Sequence, residues 1–326
     1  MCMNHLRKVQ IIAILLPFFL LAEVEIKPAW KRVVPRETSD LIDIQNRMQS
    51  LLPKSRMALV SIEASDGAGS GVIISADGLV LTAAHVIGSS KKKMSVRLPD
   101  GKRAPAVSLG GSELSDAGML KITKPGPWPF VEIAPRGSAQ KGDWCFGLGH
   151  PGGFDKDRDM VVRIGRVIAK EGETMQTDSR LLGGDSGGPL FDFEGRVIAI
   201  HSRISKQPDE NFHVPIESFH ANWDFFRNQK LFSRDQIEDG GFLGVACQET
   251  ADGLLVMQTV EDSPARKAGL QKDDLIVSLD GEKIDSTEEL IILIASKSPG
   301  KKISLQYQRE DKLLSSKIKL GTRPSE

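Results

Sequence analysis

Between about residues 58 and 204 the chain is a series of short apolar runs, LVSIEA, GVIISA, LVLTAA, MLKI, VVRIGRVIA and RVIAIHS, punctuated by Gly, Asp and Pro. Runs this short, rich in Val and Ile and bounded by turn formers, are strands rather than helices. The pattern predicts an all-β barrel or sandwich. On both sides the period changes. Leu41, Ile44, Met48, Leu51 and Leu52 recur at helical spacing, which predicts one amphipathic helix over 39–52, capped by Ser39, stopped by Pro53 and used for packing. Ile216, Phe219, Trp223 and Phe226 form one stripe and predict a helix over 216–232 laid across the end of the barrel. A charged stretch, Ser233 to Asp239, then leads to Gly240-Gly241 and marks the domain boundary. Beyond it the runs GFLGVACQ, LLVMQTV, DLIVSL and KISLQYQ, with helical pieces at 264–268 and 287–296, predict a second, small domain. Roughly 80 residues suffice for such an independent core.

The first 22 residues differ from the rest. Arg7 and Lys8 precede an apolar run from Ile11 to Ala22, which Glu23 and Glu25 end. A span across a bilayer needs roughly 20 apolar residues, so this shorter run reads as a signal peptide over 1–22 rather than a stable transmembrane anchor. The expected organisation is therefore a signal peptide, an N-terminal segment over 23–56 carrying the amphipathic helix, and domains over 57–233 and 238–321. The expected location is outside the cytoplasm.

Composition narrows the chemistry. The 326 residues carry 43 Lys+Arg against 43 Asp+Glu, so no excess positive field favours nucleic acid. Cys2, Cys145 and Cys247 are too far apart for a metal knuckle and too few for a disulfide framework, so no metal and no cofactor are expected. Cys145, inside Trp144-Cys145-Phe146, reads as a small buried hydrophobe. Gly147-Leu148-Gly149-His150-Pro151-Gly152 satisfies a dinucleotide fingerprint, but a β-like run rather than a helix follows it.

Three residues taken together suggest acyl transfer. His85 closes the apolar run LVLTAA, where a rigid strand delivers it to an edge. Asp116 stands just before the run MLKI, placed to accept the imidazole N–H and fix its tautomer. Ser186 lies in Gly183-Gly184-Asp185-Ser186-Gly187-Gly188-Pro189-Leu190, where glycines let the backbone aim two N–H groups at an oxyanion. The same octet fits the G-x-S-x-G elbow of α/β-hydrolases, but that elbow needs a long helix after the serine, and the β-like GRVIAIHS follows here. Each residue alone has an ordinary structural reading, as a core histidine, a turn former or a glycine-rich turn. The order His, Asp, Ser on an all-β background raises all three together.

With Gly69-Ser70-Gly71-Val72-Ile73-Ile74-Ser75-Ala76-Asp77-Gly78, Leu81-Thr82-Ala83-Ala84-His85-Val86, Asp116 with Leu120-Lys121, and Thr177-Asp178 ahead of the serine octet, the chain resembles the HtrA/Deg branch of trypsin-like serine proteases. Phe242-Leu243-Gly244-Val245, Asp262-Ser263-Pro264-Ala265 and Leu279-Asp280-Gly281 resemble the PDZ domain that follows the protease in that family. The resemblance implies a mainly β protein, a chymotrypsin-like double β-barrel followed by a small α+β PDZ domain. It implies Ser186 as nucleophile, His85 as general base and then acid, Asp116 as the orienting carboxylate, and the N–H groups of Gly184 and Ser186 as the oxyanion hole. Leu181, Ile204 and Phe212 are the expected substrate pocket, suited to an apolar side chain. Phe242, Leu243, Gly244 and Val245 are the expected peptide-binding loop, with the 242–244 amides facing a terminal carboxylate. A periplasmic or secreted, ATP-independent endopeptidase acting on unfolded or damaged polypeptides in protein quality control, in a homotrimer, follows by the same resemblance. The alternative is a non-catalytic peptide-binding or chaperone-like protein on the same scaffold. One departure stands out: the family usually has Asn before the serine, and here Asp185 needs a partner, for which Arg180 and Arg203 are the candidates.

Overall fold

The computed structural model describes residues 27–64, 67–205 and 210–324. The proposed signal peptide lies outside them. Among the described residues no helix is long and apolar enough to cross a membrane.

Six antiparallel strands, β1 (Leu59–Ala64), β2 (Gly67–Ile73), β3 (Leu79–Ala83), β4 (Lys93–Arg97), β5 (Arg103–Ser112) and β6 (Ala117–Ile122), run in the order β5-β4-β1-β2-β3-β6. Pairing of β5 with β6 closes them into a barrel. A second closed barrel follows, from β7 (Trp144–Gly149), β8 (Val161–Glu171), β9 (Thr174–Thr177), β10 (Pro189–Phe191), β11 (Val197–Ile204) and β12 (Asn211–Pro215), in the order β10-β11-β12-β9-β8-β7. Closure removes the free edges that short strands otherwise expose. The barrels share a continuous core in which Ile62, Ile73, Leu81, Met119, Phe146 and Phe191 are fully buried. Each such side chain contributes about 2–3 kcal/mol relative to exposure. Cys145 is fully buried beside Met175 and Leu190 in the second barrel's own cluster, and burial pushes its thiol well above the ordinary range.

The helix ahead of the barrels spans Thr38–Ala58, longer than the predicted 39–52. Pro53 does not stop it: a proline costs the helix one backbone hydrogen bond, and tertiary packing of Ile44, Ser55 and Ala58 on both sides of Pro53 holds the helix through it. Ser39 does not cap it either: the helix starts one residue earlier, so Ser39 lies in its first turn and Glu37 stands at the cap position, while Asp40 accepts the Arg36 N–H at 2.7 Å and the Arg32 guanidinium at 2.6 Å. The stripe itself packs as predicted except for Leu41, which is exposed. Arg47 donates to the Phe193 carbonyl at 2.8 Å and Leu51 sits against Gly195, so the helix lies on the second barrel.

The predicted 216–232 helix is two short ones, Ile216–Ala221 and Trp223–Arg227, followed by β13 (Leu231–Phe232). Asn222 breaks it, with φ −108° and its side-chain amide donating to Glu288 at 2.9 Å. Phe219 and Phe226 from the two pieces still bury into the barrel core, and β13 pairs in parallel with β5. The last domain has the sheet order β14-β15-β16-β18-β19, from β14 (Val245–Thr250), β15 (Gly253–Thr259), β16 (Leu275–Leu279), β18 (Lys302–Arg309) and β19 (Lys312–Lys319), with β17 (Glu282–Lys283) paired to β16. Its helix, Thr287–Ala295, starts at Ser286, whose hydroxyl accepts the Glu289 N–H at 3.0 Å. Leu290 and Ile294 face the domain's own core, whereas Ile292 and Ala295 pack on Phe232 of the first domain.

At that seam Glu288 is buried and accepts from Asn222, while Glu173 accepts the Ser218 hydroxyl at 2.6 Å. Burial first, and the nearby Glu288 carboxyl second, push Glu173 from 4.5 up to about 8. The folded protein thus holds a proton that an unfolded chain releases near 4.5, so this site favours folding below that value and loses the contribution as pH rises to about 8. Glu173→Gln is expected to flatten the decline, and thermal midpoints measured from about pH 5 to 9 check it; parallel curves for both proteins would refute the assignment.

Candidate active site

The barrels meet through Ser70, a fully buried residue of β2. Its N–H donates to the Ser186 carbonyl at 2.8 Å and its hydroxyl donates to the Gly184 carbonyl at 2.9 Å. The same hydroxyl accepts the His150 N–H at 3.0 Å, and the Ser70 carbonyl accepts the Thr82 hydroxyl at 2.8 Å. One residue of the first barrel therefore fixes the serine turn of the second. Ser70 lies in the Gly69-Ser70-Gly71 motif, which carried the resemblance without revealing this role.

His85 stands in a four-residue helix, Ala84–Ile87, at the end of β3. Its Nδ1 lies 2.9 Å from both carboxylate oxygens of Asp116, and its backbone N–H donates to Asp116 Oδ1 at 3.1 Å. Asp116 adopts φ +65°, a left-handed turn just before β6 that aspartate tolerates better than most residues. The Asp116 hydrogen bond holds the imidazole above its ordinary value of 6.5, against the opposing effect of burial.

Ser202 links this pair to the serine. Its hydroxyl donates to Asp116 Oδ2 at 2.6 Å, and its carbonyl accepts the Ser186 hydroxyl at 3.1 Å. A single hydroxyl proton serves one acceptor, so in this structure Ser186 is bonded to Ser202. Ser202 was not singled out in the sequence; its signal is its place beside His201 on the strand that follows the serine octet.

Glycines around Ser186 are demanded by space. A Cβ on Gly187, at φ +86°, would lie 2.1 Å from the Ser70 carbonyl and the Thr82 hydroxyl. A Cβ on Gly184, at φ +96°, would meet the Gly152 nitrogen at 2.5 Å. The Gly183 carbonyl accepts the Gly152 N–H at 2.7 Å, and the Asp185 N–H donates to the Leu182 carbonyl at 3.0 Å. Gly147 and Gly149 of the dinucleotide-like motif sit on β7, where a Cβ would strike the His201 ring at 2.8 Å and Asp185 Oδ1 at 2.3 Å. The first half of that motif is strand, and its two glycines there make room for the core.

Asp185 is fully buried, and its partner is neither Arg180 nor Arg203. Arg163 of β8 reaches it at 2.8 Å, while Arg203 lies over the Phe212 ring, 5.0 Å from its centroid. The expected pocket residues occupy neighbouring stretches but differ in exposure. Leu181 is buried and donates its N–H to Asn211 Oδ1 at 2.8 Å, whereas Ile204, paired with Asn211, is half exposed. Beneath them His201 and His213 form a buried pair, Nδ1 to Nδ1 at 3.0 Å, with His213 Nε2 2.7 Å from the Thr177 hydroxyl. Burial pushes His213 down to about 3. Among the described residues no group of three or more His, Cys, Asp or Glu is arranged to hold a metal ion.

In the last domain Leu243 is buried and Gly244 adopts φ +79°, where a Cβ would lie 2.2 Å from Ser263 Cβ. The Phe242 amide does not face the loop's concavity as expected. It donates to the Gly321 carbonyl at 2.9 Å, closing a bridge to the end of the chain, so the amides of Leu243 and Gly244 remain as the candidate carboxylate donors. β14, with Val245 at its start, is an edge strand of the sheet.

Two closed barrels with His, Asp and Ser at their junction define the trypsin-like peptidase class. Residues 69–200 match the trypsin-like peptidase domain and residues 241–320 match the PDZ domain. A probable periplasmic serine endoprotease DegP-like of Pseudomonas fulva is 33% identical over 278 residues, covering 79% of this chain and 56% of that protein. A protein of the same description from Hahella chejuensis is 32% identical over 283 residues, with 79% and 58% covered. The chain thus spans just over half the length of these relatives. Among solved structures, the HtrA-type protease AlgW with tripeptide superposes with TM-score 0.57 at 24% identity, covering 85% of this chain and 98% of that one. The serine endoprotease from Yersinia pestis gives TM-score 0.53 at 23%, with 85% and 98% covered, so the fold is shared. The chain carries a trypsin-like peptidase domain followed by a PDZ domain, and it is similar in sequence to DegP-like serine endoproteases.

Proposed function

We propose that the protein is a periplasmic, ATP-independent serine endopeptidase that cleaves unfolded polypeptides. The observation that carries this reading is the hydrogen-bonded chain from His85 through Asp116 and Ser202 to Ser186. His85 takes the Ser186 proton as the hydroxyl oxygen attacks the scissile carbonyl, Asp116 stabilises the imidazolium, and the proton then passes to the leaving amine. The N–H groups of Gly184 and Ser186 receive the oxyanion; removing one such donor typically costs about 3–4 kcal/mol of barrier. Leu181, with Ile204 and Phe212, favours an apolar side chain before the cut. The edge of β14 takes an extended peptide as an added strand, with its terminal carboxylate at the Leu243 and Gly244 amides. Assembly as a homotrimer belongs to this proposal through the family resemblance alone.

A single observation favours a second reading, a non-catalytic peptide binder: the Ser186 hydroxyl rests on Ser202 rather than on His85. One assay separates the two. Without nucleotide, the protein should degrade casein and leave a folded, disulfide-bonded substrate intact; binding of casein with no cleavage under any condition would favour the second reading.

A further inference from the structure

We infer that Arg163 is a positioning residue for the oxyanion turn, acting through an internal ion pair with Asp185. The inference rests on the endopeptidase reading and adds a residue to it. Asp185 Oδ2 accepts the Leu182 N–H at 2.8 Å while the Asp185 N–H donates back to the Leu182 carbonyl at 3.0 Å. These two bonds close the 182–185 turn and so fix the peptide planes that carry the Gly184 and Ser186 N–H groups. The Arg163 guanidinium meets the same Oδ2 at 2.8 Å, with side-chain exposures of 12% and 1% for the two partners. Charge on Asp185 is what makes it a strong acceptor for Leu182, and Arg163 is the cation that supports that charge.

Stability does not explain the pair. Asp185 Oδ1 and Arg163 Nη1 are buried without hydrogen-bond partners among the described residues, and burial raises Asp185 above its ordinary value despite Leu182 and Arg163. A carboxyl shifted upward favours folding only at acid pH and opposes it as pH rises through the shifted value. The charged pair is thus held at neutral pH against a desolvation cost that well-packed neutral residues would avoid. What it supplies is a fixed turn beside the nucleophile. Trypsin-like enzymes of the digestive kind tie this aspartate to a newly cut N-terminus; here the cation comes from near the start of β8, opposite Gly147, and needs no cut.

A double-variant cycle tests this in the full-length protein, using Arg163→Met, Asp185→Asn, both together, and Arg163→Lys. Each single neutralisation leaves the other charge buried and unpaired, so Arg163→Met and Asp185→Asn should each lower kcat on the order of 10²-fold with KM changed less than about threefold, as for loss of an oxyanion donor. The double variant, with no charge left to pair, should recover to within about tenfold of wild type, and Arg163→Lys should keep most activity. Rates of Ser186 labelling by a fluorophosphonate should follow kcat. An active wild type whose Arg163→Met variant keeps full kcat, or a folded double variant whose loss equals the product of the singles, refutes the inference alone. If Arg163→Met cannot be purified folded, the double variant against Asp185→Asn decides it, since only a coupled pair lets a second substitution restore activity. A wild type that neither labels nor cleaves refutes the endopeptidase reading and the inference with it.

Discussion

Ser186→Ala should abolish casein cleavage, lowering kcat about 10⁶-fold, while leaving the fold and peptide capture by the PDZ domain intact. Among the described residues the hydroxyl donates to the Ser202 carbonyl at 3.1 Å. The Ser186 backbone keeps its bond from the Ser70 N–H, so the turn retains its shape. A large catalytic loss with a small stability change therefore separates chemistry from structure. Activity in the variant within about tenfold of wild type would mean that another group performs the attack.

Asp116→Asn should lower kcat about 10⁴-fold, because an amide facing Nδ1 no longer selects the tautomer that leaves Nε2 free to take the serine proton. The carboxylate accepts from His85 Nδ1, the His85 backbone N–H and the Ser202 hydroxyl. An amide presents one acceptor where the carboxylate presents two, so at least one of these contacts is lost. The pH dependence moves with it. In the wild type the Asp116 bond holds His85 above 6.5, so the neutral base forms, and kcat/KM rises, through a midpoint above that value. In the variant the midpoint should fall toward or below 6.5, with a far lower plateau. A profile of kcat/KM against pH for the two proteins checks both; coincident midpoints would contradict the assignment of His85 as the titrating base.

Much of this was legible because the signals are local. His85 at a strand end, Asp116 before a strand and Ser186 among glycines whose Cβ positions are blocked by Ser70, Thr82 and Gly152 each declare themselves within a few residues. The features that escaped are long-range. Asp185 and Arg163 are separated by more than one strand, and which cation reaches a buried acid depends on the barrel's inward faces; of the candidates nearer in sequence, Arg203 lies over Phe212 and Arg180 is exposed. A cation inside the apolar run VVRIGRVIA was the available hint. The helix ends depart from their local signals in opposite directions at Pro53 and Asn222. Tertiary packing carried one helix through a proline, and a side-chain bond to Glu288 across the seam broke another that periodicity alone made continuous. Loop sequence does not reveal that Gly321, at the far end of the domain, claims the Phe242 amide.

The account depends on one nucleophile activated by one histidine, and mass spectrometry after fluorophosphonate treatment of the folded protein measures that directly. A single adduct on the peptide carrying Ser186, absent when His85 is replaced by alanine, is the predicted result. No adduct on folded wild type, or an adduct that forms equally well without the imidazole, would contradict it.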